Sequence, residues 1–162
     1  MPFTPFHLGP ALAIGIAFRK WLHIPTFLIA NIIIDIEPFL VIFGGLDGPV
    51  HGLTHTFLGA LVIGTLLAIA IKPIAARIEP AMKKIRLGSS TAFSAIGISA
   101  VGGIALHVVL DSVLYTDIQP FFPLQANPLL GLLSFDAVYG LCVVLGIIGI
   151  VLYGLSLNRN EP

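Results

Sequence analysis

Residues 51–71 read HGLTHTFLGALVIGTLLAIAI, in which two histidines four positions apart precede a long run without a charged side chain. The run is too long and continuous for a strand of a membrane barrel. Apart from closed barrels, hydrocarbon admits only helices, because every backbone polar group must be paired within the segment. The stretch therefore predicts a transmembrane helix with imidazoles at one end.

The rest of the chain repeats this apolar character. Of its 162 residues, 57% are hydrophobic and 10% are charged, and the mean hydropathy is +1.03. A soluble domain carries about 25% charged residues. We predict an all-α, polytopic membrane bundle that forms one integral membrane domain over residues 1–162. Its five hydrophobic segments are residues 4–18, 25–43, 52–71, 90–115 and 135–157, of which the first is short for a span.

Prolines are expected to shape the connections. Pro38 follows two carboxylates within the second segment and should kink or end that helix. Pro73, Pro80 and the Pro120–Pro128 stretch are predicted to mark loops.

Basic residues predict the orientation. Lysine and arginine occur only in residues 19–20, 72–86 and 159, which share one side if all five segments cross. The positive-inside rule places that side in the cytoplasm of a prokaryotic cell. We interpret the Arg77–Arg86 run as a topology determinant rather than a lipid-binding patch, and His23, beside Trp21, as interfacial. A formal net charge of zero gives no indication of a nucleic-acid partner.

Seven ionisable residues interrupt the apolar segments near one end of each, on the predicted extracytoplasmic side. They are His7, Asp35, Glu37, His51, His55, His107 and Asp111. Ionisable groups at membrane depth usually mark a site, and imidazoles gathered with carboxylates favour a metal. The His51/His55 and His107/Asp111 spacings would place each pair on one helix face. Seven candidates exceed the four ligands of one tetrahedral zinc site, so they could serve two ions. We therefore expect a divalent metal, with one or two Zn²⁺ ions favoured.

Further residues are assigned supporting roles. Glu37 is the preferred proton acceptor and Asp117 the second candidate. Thr54, Thr56 and Thr116 are expected to contact ligands or substrate. Asn31 is expected to orient Asp35. A helix–helix hydrogen bond is an equal alternative for Asn31.

Four motifs carry a family resemblance: Thr4-Pro5-Phe6-His7, Asp35-Ile36-Glu37, the His51–Thr56 box and the His107–Asp111 box. In this order they resemble the YdjM-like family of predicted membrane-bound metal-dependent hydrolases, which is distantly similar to the zinc-dependent phospholipase C and single-strand nuclease group. The resemblance implies metal ligation by His7, Asp35, His51, His55, His107 and Asp111. The chain departs from the family pattern where Glu37 replaces an aspartate, Gly52 an arginine and Thr56 a serine. Loss of the arginine removes a possible phosphate clamp.

These observations predict a membrane-embedded metal-dependent hydrolase. A bound ion would lower the pKa of a water molecule and polarise the scissile group. Because the site opens at the outer leaflet, we expect membrane lipids as partners and a lipid or amphiphilic phosphoester as substrate, with lipid esters or amides second. The alternatives are a divalent-cation transporter and a non-catalytic membrane regulator with a structural metal.

Overall fold

The computed structural model describes residues 4–158, and the regular elements among them are all helical. The helices are α1 (Thr4–Ala17), α2 (Ile24–Ile33), α3 (Ile36–Phe43), α4 (Phe57–Lys84), α5 (Phe93–Ser112) and α6 (Phe135–Leu157). A single turn of 3-10 helix, Leu53–His55, precedes α4. The predicted all-α class is confirmed.

Four stretches are long and apolar enough to cross a membrane. They are Ile24–Phe43, which joins α2 and α3, and the helices α4, α5 and α6. α1 is apolar but has only 14 residues, so at 1.5 Å per residue it is about 21 Å long and falls short of a bilayer core of about 30 Å.

The second segment is broken at Ile34–Asp35, as the position of Pro38 predicts. A proline has no N–H, and its ring clashes with the carbonyl four residues earlier, here that of Ile34. The Ile34 carbonyl instead accepts the Glu37 N–H at 3.2 Å, a tighter turn than that of an α-helix. The break therefore puts Asp35 and Glu37 on either side of a bend.

α4 differs from the prediction at both ends. It begins at Phe57 rather than near residue 52, because the Thr56 hydroxyl accepts the Gly59 N–H at 2.8 Å and caps the helix. It continues to Lys84 through Pro73 and Pro80, so the loops predicted at these two prolines were wrong. Buried residues on both sides of Pro73 (Leu67, Ala68 and Ala75) belong to one core cluster, so tertiary packing holds the helix together across the missing hydrogen bond.

α5 lies at the centre of the bundle. Its residues Ile96, Ala100, Ile104 and Val108 are fully buried. α2 and α4 pack against it, while α1 packs against α2 and α6. Small residues permit the close approach: a Cβ added at Gly103 would lie 2.7 Å from the Ala30 Cβ. α5 thus carries His107 and Asp111 into the interior.

The two ends of the bundle carry opposite charge. All seven lysine and arginine residues of the described chain follow α1 or lie in and just after the second half of α4, on the side where α5 begins, which we call the basic end; Lys72, the farthest from the end of α4, donates to the Thr91 carbonyl at 3.1 Å. The opposite, acidic end holds six carboxylates: Asp35, Glu37, Asp47, Asp111, Asp117 and Asp136. Among the described acids, only Glu79 lies at the basic end.

Candidate metal centre

Four side chains converge at the acidic end, inside the bundle. The candidate ligand atoms of Asp35, His55, His107 and Asp111 all lie within 4.8 Å of one another. His107 Nε2 is 3.2 Å from Asp35 Oδ1 and 3.1 Å from Asp111 Oδ2, and His55 Nε2 is 3.6 Å from Asp35 Oδ1. His55, His107 and Asp111 are buried, and Asp35 is partly buried. We call these four residues the metal group.

The metal group is assembled from three separate elements. Asp35 lies at the break between α2 and α3, and His55 ends the 3-10 turn before α4. His107 and Asp111 lie one turn apart on α5, as the i,i+4 spacing predicts. Close packing of α2 and α4 against α5 brings the three elements together.

The orientation of His107 is set by the backbone of α2. Its Nδ1–H donates to the Asn31 carbonyl at 2.8 Å; a carbonyl can only accept, so neutral His107 carries its proton on Nδ1 and presents a lone pair on Nε2. The Asn31 side chain donates to the Phe27 carbonyl at 2.8 Å within α2. Asn31 therefore contacts His107 through its main chain, whereas we expected its side chain either to orient Asp35 or to make a helix–helix hydrogen bond.

His55 is oriented in the same manner from the other side. The Thr54 hydroxyl donates to Glu37 Oε2, so the Thr54 oxygen is free to accept the His55 Nδ1–H at 3.0 Å. With Nδ1 engaged in this way, His55 Nε2 faces Asp35. Glu37 Oε2 also accepts the Gly52 N–H at 3.1 Å and lies 3.6 Å from His55 Nδ1. Burial lowers the pKa of His55, but the neighbouring carboxylates of Asp35 and Glu37, each 3.6 Å from a ring nitrogen, outweigh it and raise the pKa above its ordinary value.

Glu37 therefore lies behind His55, outside the metal group. The space it occupies exists because residue 52 is glycine: a Cβ added at Gly52 would lie 2.4 Å from Glu37 Oε1. The glycine at position 52 thus leaves room for the Glu37 carboxylate.

Two further histidines flank the metal group. His7 Nε2 lies 3.2 Å from Asp111 Oδ1, and its ring centroid is 4.0 Å from that of His107. The His51 ring is 4.9 Å from that of His55, but its Nδ1 is 3.0 Å from both carboxylate oxygens of Asp117. The helical pairing predicted for His51 and His55 was wrong, since α4 begins only at Phe57; the loop and the 3-10 turn bring the two rings together instead.

The donor set fits a divalent metal. His55 Nε2 and Asp111 Oδ1 are buried and make no well-aligned hydrogen bond among the described residues, although Asp35 Oδ1 lies 3.6 Å from the first atom and His7 Nε2 lies 3.2 Å from the second. Two imidazole nitrogens and two carboxylates are the donors zinc prefers, and buried carboxylates require a counter-charge. In the described chain, no lysine or arginine lies at this end to supply it. The group can therefore hold a metal ion, whose identity stays a prediction.

The comparison with known families agrees with the membrane architecture. Residues 1–160 match the family described as YdjM inner membrane protein. The chain belongs to the YdjM family. No curated protein and no solved structure matches it. The likeness of this YdjM-family protein to the phospholipase C group stays a prediction.

A small opening of about 170 Å³ lies beside the metal group of the YdjM-family protein. Its lining includes His51, Gly52, Thr56 and Asp117. Thr56 is occupied in capping α4, and its hydroxyl donates to the Leu53 carbonyl at 2.8 Å. Thr116 is exposed, next to Asp117. We call this opening the mouth.

Tyr115 is a residue of this region that sequence reasoning missed. Its ring centroid lies 4.7 Å from that of His51, and its hydroxyl is buried without a hydrogen-bond partner among the described residues. Burial, followed by the charge of Asp111, raises the pKa of the Tyr115 phenol, so the group stays a proton donor. Its position four residues after Asp111 could have indicated it, because that spacing continues the face of α5 that carries His107 and Asp111.

Proposed function

We propose that this YdjM-family protein is a membrane-embedded, metal-dependent hydrolase that acts on a lipid phosphoester. The observation that carries the proposal is the metal group, in which two carboxylates and two imidazoles meet, together with the neighbouring opening, whose lining residue His51 contacts the His55 ring. A structural metal needs no such opening, whereas a catalytic site must admit water and substrate.

Asp35, His55, His107 and Asp111 are the residues that would hold the ion, with His7 positioned to support Asp111. When bound, a divalent ion supplies a Lewis acid and makes a water molecule acidic near neutral pH. Asn31, Thr54 and Glu37 hold the Nε2 atoms of the two imidazoles toward the ion. Residues that orient a metal ligand in this way typically raise the metal affinity of a site by about 10- to 100-fold.

His51 and Asp117 form the best-placed proton acceptor. His51 Nδ1–H donates to the Asp117 carboxylate, which leaves Nε2 of neutral His51 able to accept a proton, and both residues line the mouth. Glu37 was our preferred acceptor from the sequence. Its Oε2 already accepts from Gly52 and Thr54, so its position suits orientation of His55 better than proton transfer.

The surroundings of the mouth suit an amphiphile. Large apolar side chains are exposed there: Leu53 at 61%, Phe122 at 38% and Leu124 at 67% relative exposure. A substrate with acyl chains could therefore lie against the protein while its headgroup reaches the polar opening. Phosphoesters are the first substrate class, because a divalent ion held here would polarise a phosphoryl oxygen, and lipid esters or amides are second. We further propose that the mouth faces the extracytoplasmic leaflet.

The test is a lipid-hydrolysis screen with the purified full chain in bilayers, loaded with Zn²⁺ or Mn²⁺. Asp117→Asn and His51→Ala are expected to keep their metal and to lose turnover by about 10²- to 10⁴-fold, the range for loss of an acid–base group. Asp47→Asn is the matched control, since Asp47 lies at the same end but in an exposed loop. Chelator should abolish the reaction.

A transporter would give the opposite result. Cation flux across sealed vesicles, with no hydrolysis of phospho- or ester lipids by the metal-loaded protein, would overturn the hydrolase proposal. Hydrolysis that persists at full rate in both Asp117→Asn and His51→Ala would leave a hydrolase but refute this proton acceptor.

A further inference from the structure

A second, larger cavity lies at the basic end, remote from the metal group. Its volume is about 1130 Å³, and it is bounded by the α1–α2 connection, the ends of α4 and α6 and the chain leading into α5. Between the start of α5 and His107 there are 14 residues, or about 21 Å at 1.5 Å per residue. The cavity is therefore separate from the candidate metal centre.

Four cations from two separate chain segments surround this cavity. They are Arg19 and Lys20 after α1 and Lys83 and Arg86 at the end of α4. The single acid in the lining is Glu79, so the formal charge of the lining is 4 − 1 = +3. Glu79 Oε1 accepts the Ser89 N–H at 3.2 Å and so fixes the loop that closes the cavity. The lining favours an anion.

Hydroxyl groups add hydrogen-bonding capacity next to the cations. Ser89, Ser90 and Thr91 follow one another along the wall. Ser90 N–H donates to the Arg19 carbonyl at 3.3 Å, which joins the segment after α1 to the loop that follows Arg86. Guanidinium groups with adjacent hydroxyls are the donors that phosphate oxygens accept.

Arg86 occupies a position that glycine would fill more easily. It has a φ of +61°, in the left-handed region, and it is the only described non-glycine residue with a positive φ. The Leu87 N–H donates to the Met82 carbonyl at 2.8 Å, which is the hydrogen bond of a Schellman helix end. From this left-handed position the Arg86 side chain lines the cavity.

Apolar walls favour a lipid over a small anion. Ile16, Leu152 and Leu155 line the cavity together with Trp21, which is 61% exposed. Exposed tryptophan is typical of the membrane–water interface. A molecule with a phosphate and acyl chains would match both parts of this lining.

We propose that the cavity at the basic end binds the phosphate headgroup of an anionic phospholipid. We interpreted the Arg77–Arg86 run from sequence as a topology determinant alone. Such a signal requires charge on one side of the membrane but no cavity, whereas here Lys83 and Arg86 share one with Arg19 and Lys20. Basic pockets between helices at this membrane face can hold lipid headgroups.

The test uses Trp21, the only tryptophan of the chain. The full protein is placed in phosphatidylcholine bilayers that contain brominated phosphatidylglycerol or, in parallel, brominated phosphatidylcholine, and quenching of tryptophan fluorescence is measured. We expect preferential quenching by phosphatidylglycerol. Arg86→Gly and Arg19→Gln should each lower this preference about fivefold, the effect of one basic residue near an anionic surface.

The controls separate lipid binding from folding and from free phosphate. Arg77→Gln removes an exposed cation of α4 that does not line the cavity, so it should lower the preference for phosphatidylglycerol less than Arg86→Gly does. Arg86→Gly supplies the residue that a left-handed backbone prefers, so it is expected to fold as well as the parent chain. Equal quenching by both lipids, or an equal loss in Arg77→Gln, would overturn the proposal. Displacement of phosphatidylglycerol by inorganic phosphate at equimolar amounts would also overturn it, because the site would then take free phosphate.

Discussion

The two ends of this bundle differ in whether their charged side chains are buried or exposed. At the acidic end, His107 and Asp111 are buried on the central helix. At the basic end, Lys20 and Lys83 are exposed around a cavity several times larger than the mouth. Exposed cations can be solvated by water or headgroups, whereas a buried carboxylate requires a partner. Buried charge in this chain therefore indicates a site that needs a bound counter-charge, whereas exposed charge can serve both membrane orientation and the binding of lipid headgroups.

The largest expected effect concerns membrane topology, that is, whether the basic and acidic ends lie on opposite sides of the bilayer. Cysteines introduced at Lys83 and at Asp117 should be labelled from opposite sides of the membrane, because the two positions lie at the basic and acidic ends. Impermeant thiol reagents applied to either side of oriented vesicles measure this, with the native buried Cys142 as the unlabelled background. If both positions react from the same side, the two-ended description fails.

Loss of a metal-group residue is the next largest effect. His107→Ala and Asp111→Ala should each lose bound metal and destabilise the protein by about 3–5 kcal/mol, since removal of one partner leaves a buried charge uncompensated. Metal content and thermal unfolding are the measurements.

His23→Ala is the matched control for that experiment. His23 is as buried as His107 and lies 2.7 Å, Nδ1 to Oγ1, from Thr26, but it belongs to the basic end. Its replacement should lower stability and leave the metal content unchanged. Full metal occupancy in both His107→Ala and Asp111→Ala would refute the ligand assignment.

A smaller effect is expected for Glu37 and Gly52, which lie next to His55 but outside the metal group. Glu37→Gln weakens the hold on His55, and Gly52→Ala inserts a methyl group 2.4 Å from Glu37 Oε1. Each should weaken metal affinity about 10- to 100-fold, as for other residues that orient a ligand. Competition with a metal-binding dye measures this affinity.

Gly97→Ala provides the comparison for the glycine change, because nothing lies within 4 Å of a Cβ added there. It should leave affinity unaltered. An unaltered affinity in Gly52→Ala as well would show that Glu37 does not position His55.

The smallest expected effect concerns Thr56. Because its hydroxyl caps α4, Thr56→Ala should cost about 1 kcal/mol of stability with metal content unchanged. Thr116→Ala, at an exposed position, should change neither. Metal loss in Thr56→Ala at unchanged stability would restore the sequence-based role of Thr56 at the site.

Much of the fold was accessible from sequence because hydrocarbon leaves few alternatives. Apolar length predicted the helices, Pro38 predicted the break before α3, and the i,i+4 spacing predicted the pairing of His107 with Asp111. The same spacing failed at His51 and His55, where the Thr56 cap starts the helix later. The prolines of α4 failed as loop signals because packing on both sides of Pro73 overrides the local preference.

The contacts that orient the metal-group residues were harder to predict from the sequence. Asn31 acts through its main-chain carbonyl, which every residue possesses, so residue type could not reveal it. The contact between Glu37 and Gly52 joins positions 15 residues apart and depends on the bend before α3. The cavity at the basic end likewise arises only when residues 19–21 and 86–91 are brought together by packing.

The central claim is that Asp35, His55, His107 and Asp111 hold a divalent metal at the acidic end. X-ray absorption at the zinc edge of the zinc-loaded full chain tests it most directly. We expect a shell of imidazole nitrogen and carboxylate oxygen at about 2.0–2.2 Å, without a sulfur contribution near about 2.3 Å. A protein that binds no zinc, or a spectrum with only water oxygens around the ion, would contradict it.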